Sequence, residues 1–357
     1  MASKVYFADI KKFPGKELPE KIEELCRAAG IADIIDPLDM VAVKMHFGEG
    51  QAKGVVRPEY IAGIVKFLSK NNKNVFLTDT GTLYWGERSN AAHHVARAAK
   101  SGYGYEDVGA PVVIADGLKG MDFEEVVING EFYEKVRIAS AIYYADVIVG
   151  VAHFKGHEVT GFGGTIKNLG MGCAPRPGKL EMHSSVAPAV KDKCKGCGLC
   201  VKHCVSSAIC LTGEGRGKIA HIDLGKCSGC GYCLAICPSD AISLKWNQPA
   251  DTFQKKMAEY AFGAVRAKKG VFLNFLTYIT AKCDCYPDSG KPIMDDIGIL
   301  ASLDPVALDK ASLDVCRERA GKDKFREIYP SVDGNVQLEH AQKIGMGHME
   351  YELINIR

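Results

Sequence analysis

Eight cysteines stand in two blocks that share one spacing, C-x₂-C-x₂-C-x₃-C: Cys194, Cys197, Cys200, Cys204, and then Cys227, Cys230, Cys233, Cys237. Three thiols two residues apart can wrap one small inorganic cube while the fourth reaches across to a second cube, which is how such runs hold paired [4Fe–4S] clusters. By that rule Cys194, Cys197, Cys200 and Cys237 ligate one cluster, and Cys227, Cys230, Cys233 and Cys204 the other. Gly196, Gly198, Gly229 and Gly231 let the backbone curl and aim N–H groups at sulfur. Four-cysteine zinc sites also use C-x₂-C pairs, but a triple run followed by x₃-C, present twice, favours iron and sulfide. Pro238 follows Cys237 as the bacterial pattern asks, whereas Val205 stands in the matching place after Cys204. The blocks are a repeat: KCKGCGLCVKHCVSSAICL from Lys193 realigns with KCSGCGYCLAICPSDAISL from Lys226, which implies a duplicated half-module. The module runs from about Lys191 to Lys245.

A second group of reactive residues lies outside these blocks. Lys44, His46 and Glu49 follow one apolar run, and Thr78-Asp79-Thr80-Gly81-Thr82 follows the next. The longest stretch, HFKGHEVTGFGGTIKNLGMGCAPRPGKLEMH, carries His153, His157, Lys167, Cys173 and His183 with Gly161, Gly163 and Gly164 between them. Ligands of open α/β sheets bind beyond the carboxyl ends of the strands. His157, Lys167, His153, Lys44 and His46 are therefore the expected catalytic residues. Gly161, Gly163, Gly164, Lys167 and His183 are expected to bind a cofactor, with the glycines giving close backbone approach to a group such as phosphate. Cys283-Asp284-Cys285 adds two thiols that can act together only where the backbone turns, because alternate residues of an extended strand point to opposite sides. They are a candidate pair for a further metal, nickel, zinc or iron. Cys26, Cys210 and Cys316 sit in apolar patterns that suit a core, and His93-His94 are expected to face solvent on a helix.

The elements that must position these groups alternate. Candidate strands are Met40–Lys44, Asn74–Thr78, Val112–Ala115 and Asp146–Val151; helical patterns cover Pro19–Ala29, Pro58–Ser69 and Asn90–Lys100, the last with Ser89 as its cap. After the cysteine blocks come a helix over Thr252–Ala267, strands over Val271–Thr280 and Ile297–Leu300, and a helix beginning after Asp304-Pro305. Such alternation is the signature of βαβ units around a mostly parallel sheet. The expected architecture is an α/β domain formed by 1–187 and 248–357 and interrupted by an α+β ferredoxin-like 2[4Fe–4S] module at 188–247. The full length, 357 residues with 47% apolar and 25% charged, suits such a globular chain.

A formal net charge of +2 gives no field to collect nucleic acid or an anionic membrane. The first residues lack the long apolar run of a secretory signal, so a cytoplasmic, anaerobic setting is expected, and clustered cysteines there argue for metal ligation and not for disulfides.

The segments VKMHFGE, RPEYIAGIVKFL, FLTDTGTLYWGERSN, HFKGHEVTGFGGTIKNLGMG, FLNFLTYITAKCDCYP and SLDPVALDKAS resemble the iron–sulfur-centre proteins grouped as domain of unknown function 362. A second resemblance is to nickel-dependent lactate racemases: His157, the Gly161–Gly164 turn, Lys167 and His183 are similar in order and spacing to that family's catalytic His, glycine turn, cofactor-bearing Lys and metal-ligand His. It implies a nucleotide-derived pincer cofactor on Lys167 and nickel on His183. Leu83 stands where that family places a further catalytic His. The leading expectation is an oxidoreductase passing electrons through two clusters to a small-molecule substrate or cofactor in the α/β domain. An electron carrier or accessory protein serving a redox partner protein, and a racemase or isomerase whose clusters maintain a metal cofactor, are the other two readings. Oligomeric state is left open.

Overall fold

Residues buried on both faces make the centre of the sheet. Val41–Lys44 and Val147–His153 are buried at every position, the pattern of strands covered on two sides. Their side chains alternate between two cores. Ala42 and Ile148 enter one apolar cluster, while Val41, Val43, Val147, Val149 and Val151 enter the other, as a period of two requires.

The computed structural model describes residues 2–12, 18–184, 188–244 and 247–356; Lys245, at the end of the expected module, lies outside them. Eight strands form the main sheet, in the order Tyr351–Asn355, Ser3–Asp9, Gly298–Ser302, Lys269–Leu276, Val147–His153, Val41–Lys44, Val75–Asp79, Val112–Ile114. Neighbours run parallel except that Gly298–Ser302 is antiparallel to both of its partners. The fold is α/β with a mostly parallel sheet. Helices Leu18–Ala28 and Pro58–Leu68 cover one face; Thr165–Gly170, Ala250–Val265 and Pro305–Ala320 cover the other.

Helix starts follow their caps. Asp304 Oδ1 accepts from the backbone N–H of Val306 (2.9 Å) and Ala307 (3.0 Å) ahead of Pro305, which satisfies donors that a first helical turn leaves open. Asn90, not Ser89, caps Ala91–Ala98 by accepting from His93 N–H at 3.0 Å. That register turns His94 into the core against Phe47, fully buried, which corrects the expectation that both histidines face solvent. Cys210 is a second correction: Cys26 and Cys316 are buried but Cys210 is exposed, because Ile209–Thr212 presents only Ile209 inward. Among the described residues no helix is long and apolar enough to cross a membrane.

The chain between Ala189 and Leu244 adds no described strand to the main sheet. Ala189–Val190 pairs with Ile242–Ser243 at its neck, Ile209–Thr212 pairs with Ile219–Ile222, and two short helices, Leu199–Lys202 and Tyr232–Ile236, follow the glycines. Its small core of Ile209, Ala220, Ile222, Leu234, Ile242 and Leu244 is completed from outside by Leu83 and Leu180.

Candidate functional site

Two cavities open to solvent in the cysteine-rich segment. Cys194, Cys197, Cys200 and Cys237 line the first; Cys204, Cys227, Cys230 and Cys233 line the second. Each set therefore takes three thiols from one block and one from the other. Gly196, Gly198, Gly229 and Gly231 all adopt positive φ, so both blocks curl in the same way. Backbone N–H groups donate to sulfur at three places: Ala220 to Cys194 (3.4 Å), Ala208 to Cys204 (3.2 Å) and Ala241 to Cys237 (3.2 Å). Such donors stabilise thiolates. Crowding opposes ionisation elsewhere: burial, then the neighbouring Cys230 and Cys227, push the Cys233 thiol up to about 12. Thiols packed this closely fit a bound cationic centre that takes up their charge. Among the described residues, no three His, Cys, Asp or Glu side chains are arranged to hold a single metal ion; the cysteines ring cavities.

The second cavity faces the large sheet domain. Gly231, at φ 68°, is packed so closely that a Cβ there would lie 3.1 Å from Leu83 Cδ2 and 3.2 Å from Arg176 Cγ. The guanidinium of Arg176 lies 5.2 Å from the centre of the Tyr232 ring. Its Nε donates to the Thr82 carbonyl (2.8 Å), its Nη2 to Ser89 (2.7 Å) and its Nη1 to Lys119. Arg176 is fully buried, so its loss leaves three carbonyls without that donor. Arg176→Met is expected to cost about 2–3 kcal/mol in urea unfolding, with faster proteolysis within the cysteine-rich segment as its local signature.

At the carboxyl ends of the central strands the reactive residues converge. Lys44 Nζ pairs with Asp79 Oδ1 at 3.0 Å and donates to Asn168 Oδ1 at 2.9 Å. Arg88, fixed by Glu49 (2.9 Å), reaches Asp79 Oδ2 at 3.6 Å and donates to the Tyr84 hydroxyl at 2.5 Å. His153 lies between Asp284 Oδ2 (2.9 Å) and the Thr277 carbonyl (3.0 Å), and Lys155 Nζ adds a 3.1 Å ion pair to the same Asp284 oxygen. Burial opposes ionisation of Asp284, but His153 and Lys155 outweigh it and hold the carboxyl well below the usual carboxylate range.

The thiols flank Asp284 in sequence. The chain turns at Cys283, whose carbonyl accepts from Tyr286 N–H at 3.1 Å. The turn brings Cys283 Sγ and Cys285 Sγ to 3.3 Å. Lys167 Nζ donates to Cys283 Sγ at 3.2 Å, and His46 Nε2 lies 3.5 Å from Cys285 Sγ. Among the described residues Lys167 has no carboxylate within ion-pair distance, unlike Lys44, Arg88 and Lys155. Its counter-charge is sulfur. A hydrogen bond from Cys285 acting against burial, and then Lys167, hold the Cys283 thiol well below its ordinary range, while Cys285 is pushed above it. Burial works against charge on Lys167, yet the two thiols raise it overall. His46 Nδ1 accepts from Gly48 N–H at 2.9 Å, so in the neutral ring the proton is on Nε2, toward Cys285.

Residues 41–314 match the family described as domain of unknown function 362. The chain belongs to that family. No curated protein matches it. Similar solved structures include a Thermotoga maritima protein from a structural genomics programme, at 11% identity and TM-score 0.41 over 85% of this chain and 59% of that one. Another is the lactate racemase apoprotein of Thermoanaerobacterium thermosaccharolyticum, at 12% identity and TM-score 0.40 over 84% and 54%. The chain thus spans less than two thirds of either protein.

In this member of the DUF362 family the expected residues divide into those the fold gathers and those it separates. His46, Lys167, Cys283 and Cys285 touch in sequence, and His153 reaches them through Asp284. Lys44 is next to them but saturated by Asp79 and Asn168. His157 is buried; its Nδ1 accepts from Val159 and Thr160 N–H, both at 3.2 Å, and burial followed by Lys167 holds it well below the usual histidine range. His183 stacks on Phe253 with ring centres 4.5 Å apart; burial, then Lys167, lowers it to about 3.

The glycine stretch departs from expectation. Gly161–Gly163 is a strand paired antiparallel with Lys155–His157, and the helix that follows, Thr165–Gly170, is already capped: Asp309 accepts from Thr165 N–H (2.7 Å) and Ile166 N–H (2.8 Å). A Cβ at Gly164 would stand 2.3 Å from Asp309 Oδ1. Gly161 packs on Gly334 and Gly163 on the Lys167 side chain. The first N–H groups of that helix therefore serve an internal carboxylate, and Gly161, Gly163 and Gly164 are closely packed.

Burial raises Asp309 to about 6, above the unfolded carboxylate value, so the native state binds the extra proton between the two. Its contribution to stability is fully present at low pH and declines as pH rises from about 4 through about 6, by about 3 kcal/mol. Asp309→Asn should flatten that slope in urea titrations at pH 4.5 and 7. Sequence patterns missed Arg88, Lys155 and Asp309; only the Asp304-Pro305 helix start placed Asp309 on a buried helix face.

Proposed function

We propose that this protein is an iron–sulfur oxidoreductase, in which two four-iron clusters held by the cysteine-rich segment exchange electrons with a substrate bound at the carboxyl ends of the central strands. The observation that carries this reading is the crossed grouping of eight thiols around two cavities. Thiols that ring a space, supplied with backbone N–H donors, suit an inorganic cube better than a single ion. Cys194, Cys197, Cys200 and Cys237 would hold one cluster, and Cys204, Cys227, Cys230 and Cys233 the other. Bound there, the clusters supply one-electron transfer at low potential.

The chain's own residues support a link to the larger site. Leu83 packs into the core of the cysteine-rich segment, and its neighbour Tyr84 donates its hydroxyl to the Cys285 carbonyl at 3.4 Å. Two consecutive residues therefore span from the second cavity to the dithiol. A pure carrier has no use for such a site, in which Lys155, Arg88, Asp79 and Asp284 are buried in fixed ion pairs and the half-buried Lys167 is hydrogen-bonded to sulfur; charged groups held out of water mark places where charge changes during a reaction.

Iron and acid-labile sulfide analysis after anaerobic purification tests the reading. About eight of each per chain is expected for two four-iron cubes. Two zinc ions with negligible iron would overturn it.

A further inference from the structure

We infer that Cys283 and Cys285 form a dithiol–disulfide exchange centre whose substrate is a disulfide. For the source of its electrons this rests on the iron–sulfur reading above. The pair lies on a turn that no extended strand would give, with sulfurs 3.3 Å apart, so a short movement of one side chain reaches bonding distance. The two sulfurs are not equivalent. Cys283 is buried and has the Lys167 ammonium beside it, whereas Cys285 is partly exposed and faces His46. A buried thiolate stabilised by a cation, next to a thiol that solvent can reach, is the arrangement of a resolving and an attacking sulfur.

The chemistry balances as follows. The pair shares one proton across the 3.3 Å contact, and with that proton on Cys283, which donates to Cys285, the thiolate is on Cys285. The Cys285 sulfur attacks one sulfur of a substrate disulfide, forming a mixed disulfide and releasing the first substrate thiolate, which receives the proton now on Cys283. The Cys283 thiolate then attacks the Cys285 sulfur, forming the Cys283–Cys285 disulfide and expelling the second substrate thiolate. Two electrons and one proton restore the starting thiolate–thiol pair. Clusters held by the two cysteine blocks would supply the electrons one at a time and be refilled by a low-potential one-electron donor, and the proton comes from water at Cys285. Lys167 keeps its charge throughout and returns the Cys283 sulfur to the thiolate form. Asp284, between the two cysteines, is anchored by His153 and Lys155, which holds the turn in place while the sulfurs move.

Metal ligation is the other chemistry open to such a pair. His46 is unsuited to it, since Nδ1 accepts a backbone N–H and the ring proton occupies the nitrogen facing sulfur; a ligating nitrogen must be free of its proton.

The test uses the full chain, purified anaerobically, with glutathione disulfide as the probe and alkylation followed by peptide mass analysis as the readout. In the wild type the peptide bearing Cys283 and Cys285 should lose both thiols together as an internal disulfide, with the glutathione adduct below about a tenth of the peptide, because the second sulfur resolves it. In Cys283→Ser the adduct should accumulate on Cys285 and persist. In Cys285→Ser it should be at least about tenfold slower to form, since the remaining sulfur is buried. Independent oxidation of the two thiols, or equal adduct formation in the two variants, overturns the proposal. Iron is counted on the same samples. Paired oxidation in protein that cannot be loaded with iron removes the cluster reading and leaves the exchange centre standing; eight irons without paired oxidation does the reverse.

Discussion

Cys237→Ala should lower iron from about eight per chain toward about four, and the surviving electron paramagnetic resonance signal should be that of the cluster bounded by Cys204, Cys227, Cys230 and Cys233. The reason is spatial. Cys237 belongs in sequence to the second block, yet it lines the cavity of Cys194, Cys197 and Cys200. It follows the helix Tyr232–Ile236, whose length carries the fourth thiol away from the other three of its block. Cys204 makes the opposite crossing after Leu199–Lys202, so Cys204→Ala should spare the first cluster and empty the second. Iron analysis with spectra of dithionite-reduced protein distinguishes the two variants. If each variant instead loses the cluster of its own block, the crossed grouping is not how the clusters are held.

The two crossings bear on how electrons leave. Among the described residues, it is the second cavity whose lining meets the large domain, through Gly231 and Tyr232 against Leu83 and Arg176. With clusters held as proposed, loss of Cys204 should cut the dithiol off from cluster electrons even though the other cluster survives. Loss of Cys237 leaves the near cluster in place. The duplicated half-modules are alike in sequence, but only one has been given a partner.

Much of the scaffold is legible in the sequence because burial dictates residue type. Val41–Lys44, Val75–Asp79 and Val147–His153 are apolar runs that only a doubly covered strand can use, and the structure places them within a residue or two of their expected bounds. Ser3–Asp9 and Tyr351–Asn355 escaped notice. They pair with each other across almost the whole chain, and Tyr351–Asn355 has no buried position, so no local pattern marks it as a strand. The antiparallel direction of Gly298–Ser302 is equally silent, since a strand's composition does not encode which way its neighbour runs.

The site divides along the same line. Spacing along the chain brought out the cysteine blocks and the residues around Lys167, where the ligands are close in sequence. Spacing could not show that the helix after Gly161, Gly163 and Gly164 is capped, because the carboxylate that fills its N-terminus, Asp309, arrives from a distant helix. It likewise could not pair Lys167 with Cys283 or His46 with Cys285, contacts made only when separate strands end at the same edge of the sheet. No local pattern marks Lys155 between two histidines, although its ammonium helps keep Asp284 charged.

Asp284→Ala should be the most damaging single change outside the cysteine blocks. Asp284 is fully buried, and its Oδ2 accepts both the His153 contact at 2.9 Å and the Lys155 ion pair at 3.1 Å. Removing one member of a buried charge network leaves the others without compensation, at a cost of about 3–5 kcal/mol. Its folded-state carboxyl lies below the unfolded value, so the unfolded chain takes up the proton first as pH falls. The stabilisation is therefore present in full above the ordinary carboxylate range of about 4 and is lost progressively below it. Urea unfolding at pH 7 should separate wild type from variant widely, and the gap should narrow as pH is lowered below about 4. Asp284→Asn keeps the shape of the turn and removes the charge; it should fold better than Asp284→Ala while losing the same pH dependence. A gap that stays constant with pH would mean that Asp284 contributes by packing alone, and that Lys155 and His153 are balanced by other groups.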